Sequence, residues 1–259
     1  MKQPISTTLA AEPTQWIGGV EFASSTPHDA SQHIVELAAE ATREGTHVHL
    51  ANAYTVALAD QHVGYSDVLA APALNLPDGK PIGWISALRG QSPRLEQVRG
   101  PQLFLDVFDK GREHGIRHFV LGSTDDVLDS LSSRLHTKFP GIDIVGVESP
   151  PFRVLDSAEL QAQDDRIRAS GADIVWVGLG TPKQDHEAQR LAKNMPVVAV
   201  AIGAAIDFAA GATPEAPAWM TNVGLEWVYR FASEPRRLWK RYVFGNARFL
   251  KAALLAPAR

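Results

Sequence analysis

Hydrophobic and polar positions along the chain fall into blocks whose period switches between helix and strand. Ile34, Leu37, Ala38 and Ala41 recur at helical spacing, so a helix is expected over 29–43, ended by Gly45. The block 46–50 alternates apolar residues with His47 and His49 and reads as a strand whose histidines face solvent. Asn52 stands where that strand gives way to a helix around Val56 and Leu58. A second apolar run, 68–76, is closed by Pro77-Asp78-Gly79, and helices are expected at 81–89 and 101–114. Then come a strand at 117–121, the turn Gly122-Ser123-Thr124, a helix at 125–138 and a strand at 142–147. A helix at 156–169, a strand at 173–178, a helix at 184–194 and a strand at 197–202 complete the series. Residues 1–15 read as a loose lead-in, and 16–22 as a short strand or a hairpin arm around Gly18 and Gly19. Strands alternating with helices predict βαβ units. The expected fold is α/β: a Rossmann-like, mostly parallel sheet flanked by helices over 16–212, with a C-terminal helical appendage over 213–259. Ligands of such sheets bind beyond the carboxyl ends of the strands. That singles out Asn52, Asp78, Gly122, Ser123, Lys183, Gln184 and Asp207.

Charge and composition sharpen the picture of the appendage. The chain carries a net charge of −4, but residues 224–259 hold eight basic and two acidic side chains, +6, which leaves −10 on the rest. Such a tail meets anions: phosphates or acidic lipid. Nucleic acid fits poorly, because the acidic body would repel it. Trp239, Tyr242, Val243, Phe249, Leu250 and Leu254 can share one helical face with basic residues between them. Either an interfacial amphipathic helix or a surface helix docked on the core has that pattern. Cysteine is absent, which removes disulfides and thiol chemistry. The first residues lack an apolar signal region, and the longest apolar stretch, 197–211, is too short to span a bilayer and contains Asp207. A cytoplasmic location is expected.

The candidate chemistry centres on Asp173 to Glu187, DIVWVGLGTPKQDHE. A doubly buried strand runs into Gly178 and Gly180. Pro182 suits a first helical position, with Thr181 as its N-cap. Free N–H groups and the helix dipole would make this turn an anion site, with Lys183 and Gln184 at its mouth; a plain strand-to-helix turn is the alternative. A dinucleotide fingerprint needs a third glycine where Lys183 stands. Asp78 is either part of a Pro-Asp-Gly turn or a positioned carboxylate able to take a hydroxyl proton. Asp207, in an apolar stretch, needs a partner: a ligand or a helix N-terminus. The nine histidines form no His-x-x-x-His pair, and no Asp-x-Asp occurs. Neither a metal nor another cofactor is expected.

Gly178-Leu-Gly180-Thr-Pro-Lys-Gln-Asp resembles the Gly-x-Gly-x-Pro-Lys-Gln-Glu signature of the WecG/TagA/CpsF glycosyltransferases. Ala73 to Gly79 is similar to that family's Ala-Asp-x-x-x-x-Asp-Gly segment. Gly203, Asp207 and Gly211 match its Gly-x-Gly-x-x-x-Asp-x-x-x-Gly. The densest match is Glu215-Ala-Pro-Ala-Trp219, Gly224-Leu-Glu-Trp-Val-Tyr-Arg230 and Glu234-Pro-Arg-Arg237. Among the departures, Leu50 replaces a threonine of Thr-x-Asn, Gln102 an aspartate, and Glu215 an arginine. The resemblance implies an inverting, metal-independent transfer from a UDP-sugar to a polyprenyl-diphosphate-linked acceptor, in cell-surface polysaccharide or teichoic-acid-type polymer synthesis. It makes Asp78 the base. Asn52, Gly79, Gly122, Gly180, Lys183, Gln184, Asp207, Arg230 and Arg237 would bind substrate, and Phe152 is either a wall for the nucleobase or a core aromatic. It further implies a peripheral place on the inner membrane face through the appendage, and leaves a homo-oligomer open. The rivals are a nicotinamide-dependent oxidoreductase and a non-catalytic nucleotide-binding scaffold at the membrane.

Overall fold

The computed structural model describes residues 13–233 and 235–255; the side chains of residues 218, 222, 237, 238 and 240–244 lie outside that description. The chain opens with a hairpin, β1 (Thr14–Ile17) and β2 (Val20–Ala23), turning at Gly18 and Gly19 as expected. Then follow α1 (Pro27–Ala39), β3 (Thr46–Ala51), α2 (Ala53–Ala59), α3 (Val63–Ser66), β4 (Leu74–Pro77), α4 (Lys80–Leu88) and α5 (Gly100–Gly111). Next come β5 (Arg117–Gly122), α6 (Asp125–Lys138), β6 (Asp143–Glu148), α7 (Ser157–Ser170), β7 (Ile174–Gly178), α8 (Lys183–Asn194) and β8 (Val198–Ala201). The chain ends in α9 (Ala205–Ala209), α10 (Ala218–Asn222), α11 (Glu226–Ser233) and α12 (Pro235–Leu255). Two boundaries shift. Helix α1 stops at Ala39, before Gly45, and only the end of the apolar run 68–76 is strand; Val68 and Leu69 are buried in the turn before it.

Six strands form one parallel sheet in the order β4-β3-β8-β7-β5-β6. Strand β7 shows why its sequence is apolar without alternation: it is covered on both faces. Trp176 packs against Phe104 and Phe108 of α5, with ring centroids 4.8 and 5.8 Å apart. Val175 and Val177 pack on the other face with Ala188 and Leu191 of α8. A further core joins the hairpin, α2, α3 and α4 through Ile17, Phe22, Val56 and Ile82, and α12 completes it with Phe249, Ala252 and Ala253. Phe249 therefore leaves the face it was expected to share with Leu250 and Leu254, which are exposed; Tyr242 and Val243 lie outside the described side chains.

Register brings the strand ends level. In the β3–β4 pair Ala51 lies opposite Pro77, so the next residues, Asn52 and Asp78, emerge side by side. In the β5–β7 pair Gly122 lies opposite Gly178, and Val177 lies opposite Ala201 of β8. Among the described residues no helix is long and apolar enough to cross a membrane.

Candidate active site

A cavity of about 910 Å³ opens over these carboxyl ends. Leu50, Asn52, Asp78, Ser123, Phe152, Gly180, Lys183, Gln184, Asp207, Glu226 and Arg230 all line it. The two groups singled out earliest, Asp78 and the turn before Gln184, thus share one cleft. Gly79 and Gly122 stand just outside it: Gly79 caps α4, and Gly122 ends β5.

Asp78 is held from three directions. Its N–H donates to the Ala51 carbonyl at 2.9 Å, which continues the β3–β4 pairing. Its carboxylate accepts the Gly100 N–H at the start of α5 and the Asn52 side chain. Asn52 is oriented by its own helix: its Oδ1 accepts the N–H groups of Tyr54 and Thr55 at 3.0 and 3.4 Å, while its N–H donates to Thr55 Oγ1 at 3.2 Å. This capping box fixes the amide oxygen toward α2, which leaves the amide nitrogen to serve Asp78. Burial and the nearby Glu226 carboxylate push Asp78 up to about 6, against the opposing pull of Arg230, Gly100 and Asn52. A carboxyl group titrating there is a suitable general base near neutral pH.

The 178–184 turn differs from expectation. Pro182, not Thr181, occupies the N-cap position, and Lys183 begins α8. Gln184 is buried, and its Oε1 accepts the Gly180 N–H at 3.0 Å; it braces the turn from within. The N–H groups of Gln184, Asp185 and His186 donate to the carbonyls of Gly180, Pro182 and Pro182. The anion site expected from free N–H groups is therefore largely closed by the turn's own bonds. The exposed Lys183 side chain is what it offers the cavity.

Asp185 explains a second correction. His47 and His49 are buried, not solvent-facing. His49 Nδ1 lies 2.9 Å from Asp185 Oδ1, His47 Nδ1 lies 2.8 Å from His49 Nε2, and the Tyr65 hydroxyl donates to Asp185 Oδ2 at 2.9 Å. With both histidines carrying the Nδ1 proton, every donor points toward the carboxylate. Burial, aided by His49 and Lys193, holds His47 down at about 4, so it stays neutral. Burial and Asp185 push the Tyr65 hydroxyl up, so it remains a donor. Asp185 in turn sits in the first turn of α8, where the helix dipole favours it. The cluster fastens the start of α8 to β3 and α3.

Gly122 is required by packing: its φ is +135°, and a Cβ there would lie 2.5 Å from the Gly178 carbonyl oxygen. Ser123, next in line, was singled out by its place past a strand end, though the family resemblance gave it no role. It has φ 60°, the one positive-φ non-glycine among the described residues, a strain that tends to collect at functional sites. Its hydroxyl donates to Asp207 Oδ1 at 2.8 Å, and its carbonyl accepts the Ser149 hydroxyl at 2.8 Å. Asp207 thereby has its partner, and Ser123 is the residue that joins the loops after β5, β6 and β8. Phe152 is 90 % exposed on the cavity rim, so it is no core aromatic.

The C-terminal helices reach the same cleft. Arg99 joins Glu215 at 3.2 Å and Glu226 at 3.3 Å. The Arg230 guanidinium lies 5.1 Å from the Phe208 ring centroid. Gly224 has φ +80°, and a Cβ there would meet Trp84 at 2.9 Å and Lys80 at 3.0 Å, so α11 approaches α4 as only glycine permits. The Arg237 side chain lies outside the described residues, as do those of Lys240 and Arg241. Among the described residues no three His, Asp or Glu side chains come together as metal ligands would.

The sequence profile described as the Glycosyl transferase WecG/TagA/CpsF family matches residues 15–259. The chain belongs to that family. It is similar to a Bacillus spizizenii protein named N-acetylglucosaminyldiphosphoundecaprenol N-acetyl-beta-D-mannosaminyltransferase, 33% identical over 182 residues, which is 70% of this chain and 68% of the relative. A Bacillus subtilis protein of the same name is 31% identical over 179 residues, 68% of this chain and 67% of the relative. As a WecG/TagA/CpsF member the protein is a glycosyltransferase, which displaces both the nicotinamide and the scaffold readings.

Proposed function

We propose that this glycosyltransferase moves a sugar from a UDP-sugar to a hydroxyl of a polyprenyl-diphosphate-linked acceptor in one inverting, metal-independent displacement. The observation that carries the reading is the shared cleft: Asp78, Lys183 and Arg230 line one cavity over the strand ends. The acceptor oxygen bonds to the anomeric carbon as the bond from that carbon to the diphosphate breaks, and Asp78 takes the hydroxyl proton. Arg230 and Lys183 face the charge that grows on the departing UDP, and preorganised cations act strongly in such a site. Arg237 is proposed to join them from α12. Asp207, held by Ser123, and Phe152 on the rim suit the nucleobase.

The relatives' names favour transfer of an N-acetylmannosaminyl group to an N-acetylglucosaminyl-diphospholipid. Leu50, apolar and lining the cavity, bears on which sugar is accepted. A place at the inner membrane face, in assembly of a cell-surface polymer, agrees with the exposed Trp84 and Leu88 of α4 beside exposed Trp219, Val223 and Trp227. The test is Asp78→Ala, assayed for transfer to a lipid-linked acceptor and for UDP binding by calorimetry. Transfer is expected to fall by at least about 100-fold with UDP binding retained. Full transfer in the variant removes Asp78 from the mechanism.

A further inference from the structure

One dipeptide holds two carboxylates. Gly100 donates its N–H to Asp78, and Arg99, the residue before it, grips Glu226 through Nε. Asp78 belongs to the end of β4, whereas Glu226 opens α11 of the C-terminal helices. Both line the same cavity, and Arg230, one turn after Glu226, lines it as well. Because Arg99 also bonds Glu215, its single positive charge is divided between two carboxylates. Glu226 therefore keeps part of its field in the cleft. The groups that face Asp78 are Glu226 and Arg230 from α11, the Gly100 N–H from α5 and the Asn52 amide at the head of α2. Arg99 stands behind Glu226, Lys80 starts α4, and Asp207 lies on another part of the cavity wall.

We propose that Glu226, brought to the cleft by α11 and held there by Arg99, is a positioning residue for the base and keeps Asp78 a competent proton acceptor. This rests on the reading of Asp78 as the base. A like charge disfavours a second ionised carboxylate, so the ionised Asp78 takes up a proton more readily beside Glu226 than alone. The effect cited above agrees: Glu226 is the largest contributor after burial to the upward displacement of Asp78.

The experiment measures kcat/KM for transfer against pH with the full chain, a UDP-sugar donor and a lipid-linked acceptor, in wild type, Glu226→Gln, Glu226→Asp and Asp78→Asn. The expected result for Glu226→Gln is an acidic limb displaced to lower pH by ~1 unit, with a plateau lowered several-fold. The KM for donor should change less than twofold, and Glu226→Asp should restore the limb toward wild type. An acidic limb that coincides with wild type in Glu226→Gln overturns the proposal, because a latch without an electrostatic role lowers the plateau and leaves the limb in place. Asp78→Asn separates the two readings. If it is fully active, the base assignment itself fails. If it is inactive while the Glu226→Gln limb stays put, the base stands and only the role of Glu226 falls. Should Glu226→Gln not fold, the Asp78 carboxyl carbon is titrated by NMR in wild type and Glu226→Asp. The same midpoint in both is the overturning result.

Discussion

Replacing Asp78 by asparagine should stabilise the protein while abolishing transfer, and the gain should depend on pH. The wild-type carboxyl titrates at about 6 in the folded chain against an ordinary 3.8. Folding therefore takes up a proton between those values, and stability falls as pH rises from 3.8 through 6. Above 6 the penalty is constant; below 3.8 it vanishes, since both states carry the proton. At about 1.4 kcal/mol for each tenfold change in the protonation constant, the full displacement corresponds to ~3 kcal/mol. Asp78 is only half-buried, so solvent screens part of this, and roughly 1–2 kcal/mol is the working figure. Asparagine has nearly the same shape and keeps an oxygen for the Gly100 N–H, but its amide nitrogen cannot accept from Asn52, which offsets part of the gain. For a chain of this size, 1 kcal/mol corresponds to ~2–4 °C in Tm. Differential scanning calorimetry of both proteins from pH 4.5 to 8.5 should show Asp78→Asn melting about 2–8 °C higher at pH 8, with the gap narrowing on acidification. A gap that is absent at pH 8, or that does not vary with pH, refutes the argument that Asp78 is held against its own ionisation.

Two other substitutions probe the frame around the site. Asp185→Asn leaves His49 or Tyr65 without a charged acceptor in a buried position, and should cost ~2–4 kcal/mol in urea unfolding with weaker UDP binding; a loss below 0.5 kcal/mol would show that the cluster carries no strain-free bond worth keeping. Gly224→Ala places a Cβ 2.9 Å from Trp84 at φ +80°. It should loosen α11 and raise the rate of proteolysis around 212–226 several-fold, read by mass spectrometry of the fragments, while an unchanged cleavage rate would mean that α11 does not depend on this contact.

The sheet was legible because its strands are apolar runs between glycine-marked turns, and the helix at 125–138 was read to its ends. The histidines show where a periodic reading misleads. Alternation at 47 and 49 places both side chains on one face of β3, which is correct, but a parallel sheet built from βαβ units has helices on both faces. A histidine in a strand flanked by β4 and β8 must then be buried and needs a polar partner. The burial was deducible from the predicted topology. The partner, Asp185, was not, because it lies 136 residues away and reaches β3 only once α8 has packed. The turn before α8 shows the same limit: Gly-Leu-Gly-Thr-Pro-Lys-Gln names a strand-to-helix junction, yet whether its N–H groups stay free depends on the Gln184 rotamer, and that side chain folds back onto Gly180. Ser123 was marked by its place past a strand end, but its bond to Asp207 was not. Its positive φ, and the close approach of Gly122 to Gly178 beside it at the ends of β5 and β7, belong to contacts between strands that local sequence does not encode. The place of Asp78 in the cleft was readable from order alone, since a residue just past a parallel strand must emerge at the ligand-binding edge. Its neighbour Glu226 was not, because only the packing of α11 across that edge turns a motif letter into a charge beside Asp78.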